Sequence, residues 1–508
     1  MRIALTSLLV LVACAPARSA PAPDAASVED ATVDAAVSVD AAVSPGLDAF
    51  TPLDSPASTE LRLASGVTLE GLAVFQGTRV VLFESGLVAT RNGPIVAGRA
   101  AVVRAYVDAS GHAGTFTGEL EVREGSRVVS VIRDTRALSG VSSDAIPTSM
   151  LSFALPAEVV TETASLAVRI VDPTGVAPTG SHPARLPRDG SFHALAAQSD
   201  GIGLHLVLVP LQWTHDGSGR LPDTSPAQLA TFRALILAVY PLAHLTIDVH
   251  DPVPWSGGLT FSGNVDFGAV NAMLMSLRGT DHAPANAYYY ALVNAADTYD
   301  AYCGGSCVTG QSYVTEAPAD ADFRVGSGVG FTGENTAWTL VHEVGHEHGR
   351  SHAPCSAGGA DPAFPYAGGS IGVWGLDERT GTFEDPGQQS DFMGYCWPTW
   401  TSDYTWSAIF ERTVAVSALA SEARQPRWLV RIGGEVGARI VGEVTLRPPH
   451  ARQHALARWL DAQGTTIAIV RAALVTQSHT DEELAVLPPP PVGAAALSIG
   501  GRTLPLDL

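Results

Sequence analysis

The stretch His342-Glu343-Val344-Gly345-His346-Glu347-His348-Gly349-Arg350-Ser351-His352 holds residue types at spacings that can do chemistry. His342 and His346 are four residues apart. On a helix that spacing puts both imidazoles on one face, one turn apart, within reach of a single metal ion. Glu343 follows the first of them. From there a carboxylate reaches a metal-bound water without binding the metal, the position a general base needs. Gly349 can end the helix, because left-handed backbone costs a glycine little. The chain then turns and brings in His352. Three imidazoles and one open position make a catalytic zinc site rather than a structural one, so one Zn2+ is the expected cofactor. Histidines at accidental spacing are the competing account, and the added Gly349 and His352 leave it little room. His348 lies off the face of His342. It is expected at the rim or behind the ligands, not on the metal.

The elements that must position these groups read as α/β. Leu204–Leu211 has the composition of a buried strand, Leu245–Val249 and Tyr288–Val293 read as two further strands, and Ala227–Val239 and Phe267–Leu277 have helical spacing. Asn335–Val341 is compatible with the helix that carries the first two histidines, with Thr332 or Asn335 as its N-cap. A catalytic domain is therefore expected over residues 200–412.

Farther on comes Asp391-Phe392-Met393-Gly394-Tyr395-Cys396. The pattern HExxHxxGxxH followed by a methionine turn resembles the metzincins, a clan of zinc metallopeptidases. The resemblance covers about residues 200–410 and leaves the flanks outside it. It implies that Met393 forms a hydrophobic floor beneath the histidines. It implies that Tyr395 approaches the metal and stabilises the transition state. Ala353, after the third histidine, is not one of the residues that mark the well-known subfamilies, so none is assigned. The implied activity is internal peptide-bond hydrolysis by a zinc-activated water, with Glu343 as base. Met393 and Tyr395 taken singly would read as core residues. Trp397–Thr405 is expected to open the last helix of the catalytic domain.

The flanks differ in pattern. Ala4–Ala13 is apolar, too short to span a bilayer, and runs into Leu11-Val12-Ala13-Cys14. That resembles the lipobox of bacterial lipoproteins, so 1–14 reads as a signal with Cys14 lipidated. The expected location is the outer membrane or cell surface, with the membrane touched through the N-terminal lipid alone. If Cys14 is not the processing site, the chain is secreted. Residues 15–60 are Ala, Pro, Val, Ser and Asp, an acidic tether too poor in apolar surface to fold. Residues 61–195 carry short alternating runs such as Ala101–Val107 and Ser165–Val171, which predict a β-sandwich. Residues 413–508 return to short strands and predict a small C-terminal β domain. The fold class is thus multidomain α+β. Cys303, Cys307, Cys355 and Cys396 allow three pairings. An even count in an exported chain predicts disulfides, with Cys303 to Cys307 and Cys355 to Cys396, rather than a four-cysteine zinc site.

Composition narrows the partners. The 508 residues carry 30 basic and 51 acidic groups, a net charge of −21, which argues against a nucleic-acid surface. Every basic residue is Arg, so a lysine nucleophile, a Schiff base and a phosphate-loop lysine are excluded. The expected partner is a protein or glycoprotein substrate. Two other functions compete. One is a surface adhesin or glycan-binding lipoprotein with a vestigial protease domain. The other is a zinc hydrolase of an amide in a cell-wall polymer. The intact Glu343 argues against the first.

Overall fold

The computed structural model describes residues 62–260, 262–305, 307–419, 425–433, 437–446, 449, 451 and 453–506. Cys14 and the expected tether lie outside the described residues. Among those described, the chain is β-rich and multidomain, with sheets of nine, six and seven strands, two small two-stranded sheets and five α-helices.

The N-terminal sheet is organised by one 24-residue strand, Ala101–Glu124. Its first part pairs with Thr68–Phe75 and Leu151–Leu155, and its second part with Arg127–Val141 and Ala164–Val171, all antiparallel. An irregularity in the pairing between Ala109 and Gly114 separates the parts, and such a bulge lets a strand bend. Residues along Ala164–Val171 alternate between buried and half-buried, as expected when one face rests on a core. Leu120, Val122, Leu151, Phe153, Val168 and Ile170 meet in a single core under both parts.

The middle sheet runs in the order Leu245–Val249, Leu204–Trp213, Ala287–Val293, Val325–Val329, Gly310–Ser312. The first four strands are parallel, and Gly310–Ser312 is an antiparallel edge. Every residue of Ala287–Val293 is buried, because a parallel strand is covered on both faces. The cover comes from helices. They are α1 (Pro226–Val239), α2 (Phe267–Thr280), the short α3 (Tyr299–Cys303), α4 (Glu334–Glu347) and α5 (Asp403–Ser417). Helices α1, α4 and α5 share one core with Leu206, Leu208, Tyr288 and Tyr290. Helix α2 packs on the opposite face, with Val207, Val209 and Tyr289.

Helix starts follow their caps in four of these cases, among them the short α3, where the Thr298 side chain accepts from Ala301 N. The Ser225 side chain accepts from Gln228 N at α1, Asp266 from Ala269 N at α2, and Ser402 from Thr405 N at α5. Helix α4 differs. Neither Thr332 nor Asn335 caps it; Gly333 holds the N-cap position without a side-chain bond. Gln228 of α1 substitutes, accepting from Gly333 N at 2.7 Å, while Thr332 Oγ1 donates to Asp223 instead.

The C-terminal sheet is wholly antiparallel, in the order Gly437–Leu446, Gln425–Gly433, Glu483–Leu487, Thr466–Thr476, Gln453–Leu460, Ala496–Ile499, Arg502–Pro505. Helix α5 runs through Thr413 to Ser417, so the C-terminal strands begin later than the expected boundary at 413. The sheet is not a detached unit. Leu429, Val444, Val475 and Val486 lie in the same core as α2 and the middle sheet. Its turn 477–482 therefore reaches the edge strand Gly310–Ser312.

Candidate metal centre

Helix α4 delivers His342, Glu343 and His346, and its end delivers the rest. Gly349 adopts φ +82°, and a Cβ there would sit 2.6 Å from Thr315 O. The left-handed turn thus needs glycine for both its backbone angle and its space. Arg350 N donates to Gly345 O, the wrapping bond of the helix end, and His352 swings back to the same side. Ala353 N donates to Met393 O at 3.0 Å, so the third histidine is tied to the methionine turn. A Cβ on Gly345 would lie 2.4 Å from Met393 Sδ. Met393, 1% exposed, therefore packs directly under the helix between the two histidines. Asp391 holds the turn, accepting from Met393 N at 2.9 Å and from the backbone and hydroxyl of Ser402. The disulfides Cys303–Cys307 and Cys355–Cys396 form as expected. Such bonds belong to an extracellular or envelope compartment. No helix among the described residues is long and apolar enough to cross a membrane.

The donor set fits a cation. The Nδ1 atoms of His342, His346 and His352 lie 2.7, 2.6 and 2.7 Å from the carbonyls of Phe392, Arg350 and Gly358. A carbonyl can only accept, so each Nδ1 carries the proton and each neutral ring leaves Nε2 bare. His346 Nε2 lies 3.2 Å from both His342 Nε2 and His352 Nε2. Lone pairs facing one another at that distance repel unless a cation sits between them. The edge of a tetrahedron with zinc–nitrogen bonds of about 2.0–2.1 Å is roughly 3.3–3.4 Å. Burial, the largest cause, holds His342 down to about 3 and His352 to about 4, and drives His346 well below its usual value. The three rings are thus neutral at physiological pH, as ligands must be.

Glu343 is buried, and burial pushes its carboxyl up to about 7 against the opposing pull of His342, Ser312 and Ser478. Tyr395 Oη lies 3.3 Å from His352 Nε2. Of the expected site residues, His342, Glu343, His346, His352 and Tyr395 therefore come together. His348 does not belong at the rim. It is 2% exposed, donates through Nδ1 to Val344 O, and stacks on Tyr288 in the core behind α4. As expected, it is not among the residues able to hold the ion.

Two residues enter the site unannounced. His479, in the turn between Thr466–Thr476 and Glu483–Leu487, joins His342, His346 and His352. Ligand atoms of all four lie within 4.8 Å of one another. Its Nδ1 contacts Tyr395 Oη, and its Nε2 lies 2.7 Å from Glu343 Oε1. Ser478 Oγ donates to Glu343 Oε2 at 3.2 Å. The fourth position, expected to be open, thus faces an imidazole. Nothing around Ser478-His479-Thr480 has a spacing that signals a ligand, and the contact depends on docking of a separate sheet.

No protein-family model matches the chain, and no curated protein matches it. Among solved structures, a Bacteroides fragilis protein provisionally assigned as a beta-galactosidase aligns over 83% of this chain and 72% of its own. The identity is 9% and the TM-score 0.13, at which the likeness carries no argument about fold or activity.

Proposed function

We propose that this chain is an exported zinc endopeptidase of the bacterial metzincin type, with extracellular or envelope proteins or glycoproteins as substrates. The middle sheet and its helices are the α/β catalytic domain, and the outer sheets flank it. What supports the reading is the meeting of three unprotonated Nε2 atoms beside one buried carboxylate. When bound, zinc would make water acidic near neutrality and polarise a carbonyl oxygen. His342, His346 and His352 would hold it. Glu343 takes a proton from the attacking water on its carboxylate and returns it to the leaving amine. Tyr395 donates its hydroxyl proton toward the oxygen that gains charge. Cys14 carries the lipid that anchors the chain at the outer membrane.

Two substitutions separate binding from chemistry. His346→Ala removes a ligand and should lower zinc content, measured by atomic absorption. Glu343→Gln keeps all three ligands and should keep zinc. Its turnover of a quenched peptide library should fall at least roughly 10²-fold, the lower end of general-base catalysis. A Glu343→Gln protein that retains most of its activity, or a His346→Ala protein with full zinc, sinks the reading.

A further inference from the structure

We propose that His479 is a fourth protein ligand of the metal, and that the turn 477–482 thereby holds the site closed until it is displaced or cut. The inference rests on the reading of the three helix-side histidines as metal ligands.

Three independent features carry it. The first is the imidazole itself. Its side chain is 12% exposed, and it lies with Glu343 and the three histidines rather than against solvent. Nδ1 is engaged by Tyr395 Oη. Nε2 is buried and has no aligned hydrogen bond, although Glu343 Oε1 lies close by. The ligand atom of His479 lies close enough to those of the three other histidines to complete a four-nitrogen set around one ion. A four-nitrogen site leaves no position for water or substrate, which is the arrangement of a closed zinc site.

The second feature is backbone. His479 sits at φ +61°. Left-handed backbone is costly for a residue with a Cβ and persists where the surroundings hold it. Here they do. Ser478 N donates to Ser312 O at 2.8 Å, Ser312 N to Ser478 Oγ at 2.9 Å, and Gln311 Nε2 to Ser478 O at 3.1 Å. At the base of the turn, Arg431 bridges Glu482 at 2.7 Å and Asp266, the α2 cap, at 2.8 Å.

The third feature is the edge. Gly310–Ser312 is the outer strand of the middle sheet and lies beside Glu343. Tyr313 bridges antiparallel to Gln477, and Val314 N donates to Thr476 O at 3.1 Å. Residues 476–478 thus lie as an added strand along the edge that an extended peptide would use. The turn fills the metal's fourth position and the backbone groove together. Thr480 and Asp481 at its tip are exposed, where a second protease could cut.

The test uses the full-length chain loaded with Co2+, in wild type, His479→Asn and Ser478→Ala. Asparagine tolerates left-handed backbone, so His479→Asn removes the imidazole while keeping the turn. The visible cobalt spectrum reports the ligand set, equilibrium dialysis reports affinity, and the peptide library reports turnover. Expected for His479→Asn are a changed cobalt spectrum, cobalt affinity down at least about tenfold, and turnover up. A latch that leaves roughly a tenth of molecules open depresses turnover about tenfold, and removing it restores that factor. Ser478→Ala should leave the spectrum as in wild type. A His479→Asn spectrum identical to wild type overturns the ligand assignment. A changed spectrum with falling turnover overturns the closure. Failure of both wild type and His479→Asn to bind cobalt overturns the three-histidine reading as well.

Discussion

At the scale of single residues, the protons on three Nδ1 atoms decide what the Nε2 atoms can do. Each imidazole is pinned by a backbone carbonyl from a different segment: Phe392 before the methionine, Arg350 after the helix, Gly358 beyond the third ligand. Tautomer and ring angle are therefore set by the fold before any ion arrives. Tyr395 is the other residue whose role can be isolated. Its hydroxyl touches His479 and lies near His352. Tyr395→Phe, made in the His479→Asn background so that the latch does not contribute, should leave metal content unchanged. It should lower kcat by roughly 10²-fold, the usual cost of losing one donor to a developing oxyanion. KM should change little, and a drop confined to KM would refute the assigned role.

At the scale of elements, helix α4 and the methionine turn form one unit with no slack between them. Gly345 faces Met393 Sδ at a distance no Cβ could occupy. Gly345→Ala should cost about 1–3 kcal/mol by overpacking and displace His346, lowering zinc affinity together with the melting temperature. A variant as stable and as zinc-replete as wild type would show that the contact can yield. The Cys355–Cys396 disulfide closes a loop with a sequence separation of 41 residues that contains the methionine turn and begins just after His352. Replacing both cysteines by serine should cost about 2–4 kcal/mol in denaturant unfolding.

At the scale of the whole molecule, the C-terminal sheet shares a core with α2 and positions the turn that enters the site. Arg431 is 4% exposed and bridges the two bodies through Asp266 and Glu482. Arg431→Ala leaves two carboxylates without their cation, which costs about 3–5 kcal/mol when such a pair is buried. If the turn is a latch, turnover measured well below the melting point should nevertheless rise. Reduced stability with unchanged turnover would separate docking from latching. At the other end of the chain, Cys14→Ser should abolish membrane fractionation and leave an unprocessed precursor, and unchanged fractionation would rule out the lipid anchor.

Local pattern made much of this readable in advance. The spacing of His342, His346, Gly349 and His352 follows from helix period and from one left-handed turn, both properties of adjacent residues. The strands Leu204–Trp213 and Ala287–Val293 announce themselves as apolar runs, and α1 and α2 by helical spacing. The cap of α4 was not legible, because Gln228 satisfies Gly333 from another helix. Nor was the choice between rim and core for His348, since a histidine's partners across a core leave no trace in its neighbours. His479 is the extreme case. It stands 127 positions beyond His352, in a turn of unremarkable composition. It becomes part of the site through the packing of one sheet against α2 and through edge pairing with Ser312. Chain-local chemistry specifies three histidines and a glutamate at the spacing of one site. Whether the fourth position is open depends on which surface the C-terminal sheet covers, and that is settled by apolar burial summed over residues distant in the chain.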